Sequence, residues 1–254
     1  MEPILKVENL TKVFTRKGQP DLTAVDGVSF ELMPGECLGL IGESGSGKTT
    51  LVNMITRLLD ASDGSIFLDG EDITRCSGRE LRRAYRKMQM VFQTPTESFD
   101  PRRTLGDGIG ESLRNSGLSR CDTRSEVARL LELCGLTPDF AGLYPHQVSG
   151  GQCQRAAIAR ALAVKPRLLI CDEATSALDV TIQKEIIALL NELRQREGQN
   201  LSILFICHDI ALVQQFCDRV QVLCKGKRVE QGTRDELIHN PKDAYTRRLI
   251  DSIL

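Results

Sequence analysis

The sequence predicts an α/β fold in which a largely parallel sheet is interrupted by a helical insertion. Strand-like apolar runs at 167–172 and 201–207 flank a helical stretch at 183–196, and that order argues for parallel strands joined by a crossover. A glycine-rich turn, GESGSGKT at 42–49, sits between an apolar run and a second helical stretch. Between 94 and 165 the apolar runs give way to loop signals and helical periods. The expected division of the single domain is therefore an α/β core from 1–93 and 166–254, with an inserted helical subdomain at 94–165.

Along the chain, residues 4–42 alternate as strands around a polar loop at 16–21, which predicts an N-terminal antiparallel β subdomain. Residues 48–59 read as a helix, GSIFLDGEDI as a short strand and turn, and MQMVF as a strand. The basic run between them, RELRRAYRK, reads as a solvated helix face. In the insertion, Thr123 and Glu126 are spaced as a capping box, Val127, Leu130, Leu131 and Cys134 share one helical face, and Gly135 supplies the stop. RVQVLCKGKRVEQG reads as a hairpin around Lys225 and Gly226. No repeat or low-complexity segment is apparent.

Composition narrows the class. Hydrophobic content of 41% and charged content of 26% suit a globular protein, and a net charge of −1 gives no general reason to expect nucleic acid as a partner. No apolar run approaches the roughly 20 residues that cross a bilayer, and MEPILKVENL lacks the basic and apolar regions of a secretory signal. Any work at a membrane is expected to be peripheral, on the cytoplasmic face and through a partner. Nine cysteines without a C-x-x-C pair, several in apolar runs (Cys37, Cys171, Cys207), read as buried thiols rather than a metal or disulfide framework.

The chemistry starts at 42–49, which matches G-x-x-x-x-G-K-[ST] in the strand-to-helix setting that motif requires. Backbone amides of Gly42, Ser44, Gly45, Ser46 and Gly47 would close around phosphate oxygens, with Thr50 completing the nucleotide-binding set. Lys48 would reach the β- and γ-phosphates of ATP, and the Thr49 hydroxyl would ligate Mg²⁺. The fold class is thus that of a P-loop NTPase with a RecA-like core. Downstream, LLICDE ends an apolar strand in two acids. Asp172 can hold Mg²⁺ through water, and Glu173 can polarise the attacking water or orient it. Gln93, after MQMVF, can touch Mg²⁺ or the lytic water. His208, at the end of ILFIC, stands at a strand tip parallel to that of Asp172 and can contact the γ-phosphate. VSGGQCQRAAIARAL, at 148–162, opens with small polar residues and continues as a helix, which makes a second anion cradle.

The P-loop, LLICDE, SGGQ, Ser176-Ala-Leu-Asp179 and His208, in this order and spacing, resemble an ABC-transporter ATPase over nearly the whole chain. The resemblance implies head-to-tail packing of two cassettes, with ATP on the P-loop of one closed over by the SGGQ turn of the other. It implies that Ser149, Gly150 and Gly151 contact the γ-phosphate of the partner's ATP, with Gln152 in the same signature. It places Asp179 in the loop crossing the dimer interface and Phe14 on the adenine ring. Val148 departs from the common Leu, and Cys171 from a usual aliphatic residue; neither touches a reacting atom.

Within the family, TPTESFDPRRT at 94–104 and NPKDAYTRRLI at 240–250 are similar to segments of the oligopeptide, dipeptide and nickel importer ATPases. Peptide members usually continue into a cysteine-bearing extension, and a chain ending at Leu254 leans toward the shorter nickel or metal-chelate members. The partners implied are two membrane-spanning permease subunits, a second ATPase subunit (paralogue or self) and a substrate-binding protein. The alternatives are a soluble ABC ATPase acting on nucleic acid or ribosomes, and the ATPase of an exporter.

Overall fold

Alternation at the start of the chain produces two long antiparallel strands, β1 (Leu5–Phe14) and β2 (Leu22–Leu32). With β4 (Asp63–Leu68) and β5 (Glu71–Asp72) they form a four-stranded antiparallel sheet, ordered β2-β1-β4-β5. The computed structural model describes residues 2–15, 18, 20–173 and 179–251.

The second sheet has six strands. It takes β3 (Cys37–Ile41), β6 (Met88–Val91), β7 (Leu168–Asp172), β8 (Ser202–Ile206), β9 (Arg219–Cys224) and β10 (Lys227–Thr233), in the order β10-β9-β3-β8-β7-β6. All neighbours are parallel except β9 and β10, the hairpin at the edge. Strands β3, β7 and β8 are buried along their whole length, which is why their sequences are unbroken apolar runs rather than alternating ones. Their two faces serve different layers. Leu38, Leu40, Ile170, Leu204 and Ile206 join the antiparallel sheet and α1 (Lys48–Ile55) in one core. Cys37, Leu169, Cys171, Ile203 and Phe205 join the helices on the other side. This alternation is the two-residue period of a strand read on both faces.

The helices on that side include α3 (Leu105–Asn115), α4 (Arg120–Leu133) and α5 (Gly150–Leu162), all between β6 and β7. Downstream come α6 (Val180–Glu197), α7 (Ile210–Phe216), α8 (Arg234–His239) and α9 (Ala244–Asp251). The basic run forms α2 (Gly78–Lys87), whose arginines are exposed. Among the described residues, no helix is long and apolar enough to cross a membrane.

Three sequence expectations need correction. The capping box at Thr123 does not form. Helix α4 starts one turn earlier, where the Ser119 hydroxyl accepts from the Asp122 N–H (3.2 Å), and Thr123 lies buried inside the helix. A serine cap satisfies the same orphan amides, and the apolar period of Val127, Leu130 and Leu131 is unaltered by the earlier start. Helix α1 ends at Ile55 rather than 59, because Arg57 turns the chain at φ 59°. Helix α6 starts at Val180 rather than 183, because the Asp179 carboxylate accepts from the N–H groups of Thr181 and Ile182.

One ion cluster ties the β4–β5 turn to the main sheet. Asp69 meets Lys87 Nζ at 2.9 Å and also pairs with Arg167. Burial pushes the Asp69 carboxyl up, but hydrogen bonds and charge from Lys87 and Arg167 outweigh it and hold the group below its ordinary 3.8. A depressed carboxyl contributes stability above the unfolded-state pKa and loses it as pH falls through the folded value. Asp69→Asn is therefore expected to lower the thermal midpoint slightly at pH 7, with the gap to wild type closing below pH 3.8. A gap that persists unchanged at pH 2 would contradict this origin.

Candidate active site

The carboxyl ends of the parallel strands lie at one edge of the six-stranded sheet, where open α/β sheets build ligand crevices. The turn between β3 and α1 is the glycine-rich loop. Gly47 takes φ 103°, and a Cβ there would stand 2.5 Å from the Ala24 carbonyl oxygen, so only glycine fits. The loop is braced from behind: Gly226 N–H donates to Ser46 O (2.8 Å), and Asp26 N–H donates to Gly226 O (2.9 Å). The hairpin turn of β9–β10 and strand β2 thus hold the loop in shape.

A cavity of about 510 Å³ opens over this loop. Its walls include Phe14, Ser44, Gly45, Gly47, Lys48, Thr49, Thr50 and Glu173. Five wall residues were not foreseen: Leu22, Thr23 and Ala24 from β2, and Lys225 and Gly226 from the β9–β10 turn. No local motif marks them, because they arrive through tertiary packing. Gly42 and Ser46 lie buried behind the loop. Phe14 ends β1 half-buried at the rim, with Lys12 Nζ 5.3 Å from its ring centre.

Lys48 is buried and folds back on the loop. Its Nζ donates to Gly42 O (2.7 Å) and Glu43 O (2.9 Å) and lies 3.5 Å from Ser46 Oγ. Burial lowers its pKa, while the charges of Glu173 and Asp172 oppose that drop. Asp172, at the tip of β7, is buried, and its Oδ1 has no hydrogen-bond partner among the described residues. Burial pushes its carboxyl up to about 6, the adjacent Glu173 charge adds to this, and Lys48 opposes it. An orphaned buried carboxylate oxygen near the Lys48 charge, with the Thr49 hydroxyl in the wall of the adjoining cavity, suits a hard divalent cation that takes oxygen ligands. The donor set therefore fits Mg²⁺.

Glu173 adopts φ 46°, a left-handed conformation uncommon outside glycine. Its N–H still donates to Ile206 O (3.1 Å), which fixes the turn to β8. His208, two residues past the end of β8, brings Nδ1 to 3.9 Å from Glu173 Oε1. Gln93 lies two residues past β6, beyond the register pair Val91–Cys171, and is exposed. It follows the same strand edge as Asp172 and Glu173 but is not part of the cavity wall. The segment after Gln93 is clamped to the helical layer. Phe99 is buried beneath the Arg160 guanidinium (5.0 Å to the ring centre), and Arg160 donates to Ser98 O.

The second cradle is elsewhere. Ser149 caps α5 through a complete capping box: its Oγ accepts from Gln152 N–H (3.3 Å), and Gln152 Oε1 accepts from Ser149 N–H (2.9 Å). Gln152 thereby shapes the turn. Ser149 and Gly150 are exposed, whereas Gly151 is buried, and a Cβ on it would stand 2.6 Å from Ile182 Cγ2. Glycine at 151 is thus what lets the N-termini of α5 and α6 meet. Asp179 caps α6 at that junction. Ser176, Ala177 and Leu178 of the same stretch lie outside the described residues. None of residues 149–152 walls the cavity over Lys48.

A family model described as ABC transporter matches residues 25–176. The oligopeptide transport ATP-binding protein OppF of Salmonella typhimurium is 46% identical over 234 residues, covering 91% of this chain and 70% of that protein. A putative peptide import ATP-binding protein of Brucella ovis is 44% identical over 252 residues, covering 99% of this chain and 78% of that one. Among solved structures, a dimeric ATP-binding cassette in a post-hydrolysis state with ADP and phosphate superposes with a TM-score of 0.82 at 30% identity, over 91% of this chain and 98% of that one.

Proposed function

The chain belongs to the ABC transporter family and is an ATP-hydrolysing cassette, and from that premise we propose that it powers import of peptides through separate membrane subunits. The observation that carries the reading is the separation of the two cradles. The cleft over Lys48 is walled without the α5 N-terminus, which is left exposed with an ordered cap. Each chain then serves two nucleotides: its own on the P-loop, and its partner's under Ser149, Gly150 and Gly151. The names of the peptide-transport relatives favour peptides over nickel chelates.

In this proposal Thr49, Gln93 and Asp172 would hold Mg²⁺, which would supply neutralisation of the charge on the transferred phosphoryl group. Lys48 leaves the carbonyls of Gly42 and Glu43 for the phosphates. Phe14 stacks on adenine. Glu173 accepts the proton of the attacking water or orients it, with His208 beside it toward the γ-phosphate. Asp179 stands by the dimer interface.

Residues 94–165 form the unit that moves on closure. Arg160 and Phe99 link Gln93 to α5, so the strand end and the signature travel together. A groove of about 440 Å³ runs between the core and α3, with Leu58 and Phe92 exposed in or beside it. It suits a short amphipathic helix of a permease.

The test is co-purification from gently solubilised membranes of the native cell. Two multi-spanning proteins with a second ATPase are expected, along with a binding protein that takes peptides and not nickel chelates. Ribosomal or DNA-repair proteins without membrane subunits would overturn the transport reading.

A further inference from the structure

The segment NPKDAYTRRLI, noted above only as a similarity, reaches the nucleotide loop. Its first part is pinned to β10, where Glu230 accepts from the N–H groups of Lys242 (2.8 Å) and Asp243 (3.0 Å). Asp243 Oδ1 accepts from Tyr245 N–H (2.7 Å) at the start of α9. Arg247 folds back to donate to Pro241 O (2.9 Å) and Lys242 O (3.0 Å). Thr246, Leu249 and Ile250 are buried. From this anchored turn the Tyr245 hydroxyl extends to the glycine-rich loop and accepts from the Glu43 N–H at 2.9 Å, 202 residues away in sequence.

Only one peptide unit separates that hydroxyl from Lys48. The unit linking Gly42 to Glu43 is planar, so its N–H and C=O point in opposite directions. The N–H faces Tyr245, and the C=O accepts from Lys48 Nζ at 2.7 Å. Gly42 lacks the side chain that would restrict rotation of this unit. Tyr245 holds the unit from its N–H side while Lys48 holds it from the carbonyl side.

We propose that Tyr245 is a positioning residue for nucleotide binding: its hydroxyl pins the Gly42–Glu43 peptide unit and so sets where the Lys48 ammonium waits for phosphate. The C-terminal helix thereby becomes part of the nucleotide site without touching the nucleotide. The inference rests on reading 42–49 as the ATP loop. By linkage, ATP held in a correctly set loop favours the docked helix as much as the docked helix favours ATP.

The test compares wild type, Tyr245→Phe and Arg247→Ala on the full chain. It uses equilibrium titration with ATP, thermal unfolding without nucleotide, and hydrogen exchange at the Glu43 amide. Losing one hydrogen bond to the loop is expected to raise the ATP Kd of Tyr245→Phe about fivefold and to speed Glu43 exchange. Its nucleotide-free thermal midpoint should stay within a few degrees of wild type. Arg247→Ala removes the bonds to the Pro241 and Lys242 carbonyls but leaves the hydroxyl and the buried Thr246, Leu249 and Ile250 that dock the helix, and it is expected to keep wild-type affinity. If wild type binds ATP and Tyr245→Phe matches it in affinity and Glu43 exchange, the pin is refuted. Equal weakening in Arg247→Ala also overturns it, because helix docking in general would then be the cause. A wild-type chain that binds no ATP would sink the loop reading itself, and this inference with it.

Discussion

Glu173→Gln is expected to cut ATP turnover by about a hundredfold or more while leaving ATP bound. The change keeps side-chain shape and the backbone bond from Glu173 N–H to Ile206 O, so the left-handed turn at the tip of β7 survives. What it removes is a carboxylate beside the cleft, 3.9 Å from His208 Nδ1. It also removes one of the charges that hold the Asp172 carboxyl up, so the proposed cation ligand becomes easier to ionise. Binding should therefore persist as hydrolysis stops, and ATP-closed dimers should accumulate. Sedimentation velocity with Mg-ATP, on the chain alone and mixed with its partner ATPase, reads the dimer; phosphate release reads turnover. Near-normal turnover would remove Glu173 from the reaction. Failure of both samples to dimerise would count against the paired-cassette arrangement.

Lys48→Ala should do the opposite and lose the nucleotide. Lys48 is buried with its ammonium on the carbonyls of Gly42 and Glu43, and its charge balances Asp172 and Glu173. Alanine removes that ammonium from beside Asp172, Glu173 and the site of an incoming polyphosphate. Charge-assisted hydrogen bonds contribute about 1.5–3 kcal/mol each, so a roughly hundredfold loss of ATP affinity is expected by direct titration. Thermal unfolding without nucleotide should remain cooperative. Unchanged affinity would place the phosphates elsewhere.

The two substitutions divide the site in a useful way. One tests a group proposed to act on water after ATP is bound, and the other tests a group proposed to hold ATP at all. Tyr245→Phe sits between them, since it leaves Lys48 in place and alters only where it waits.

Much of this arrangement was legible in the chain. The unbroken apolar runs at β3, β7 and β8 are those of strands buried on both faces, and the structure buries all three completely. GESGSGKT, the acids after LLIC, and SGGQ each carry their geometry within a few residues: a left-handed Gly47, a strand tip, a capped helix N-terminus. Short-range steric and hydrogen-bonding rules act at that range, so sequence suffices to read them. Helix starts are less legible. Ser119 and Asp179 outcompeted the positions expected at 123 and 183 because several polar residues nearby could satisfy the same orphan amides.

Only the tertiary structure decided how these local pieces face one another. It brought Leu22, Thr23, Ala24 and the Lys225–Gly226 turn to the cleft wall, and set Ile182 against Gly151. It orphaned one oxygen of Asp172 and carried the Tyr245 hydroxyl to the Glu43 amide. The sequence determined which chemical groups the chain possesses and the local turns that display them. Contacts across 31 or 202 residues depend on layer packing and strand order, which no local period encodes, so the walls of the site and the pin behind its lysine emerged only when the sheets closed over one another.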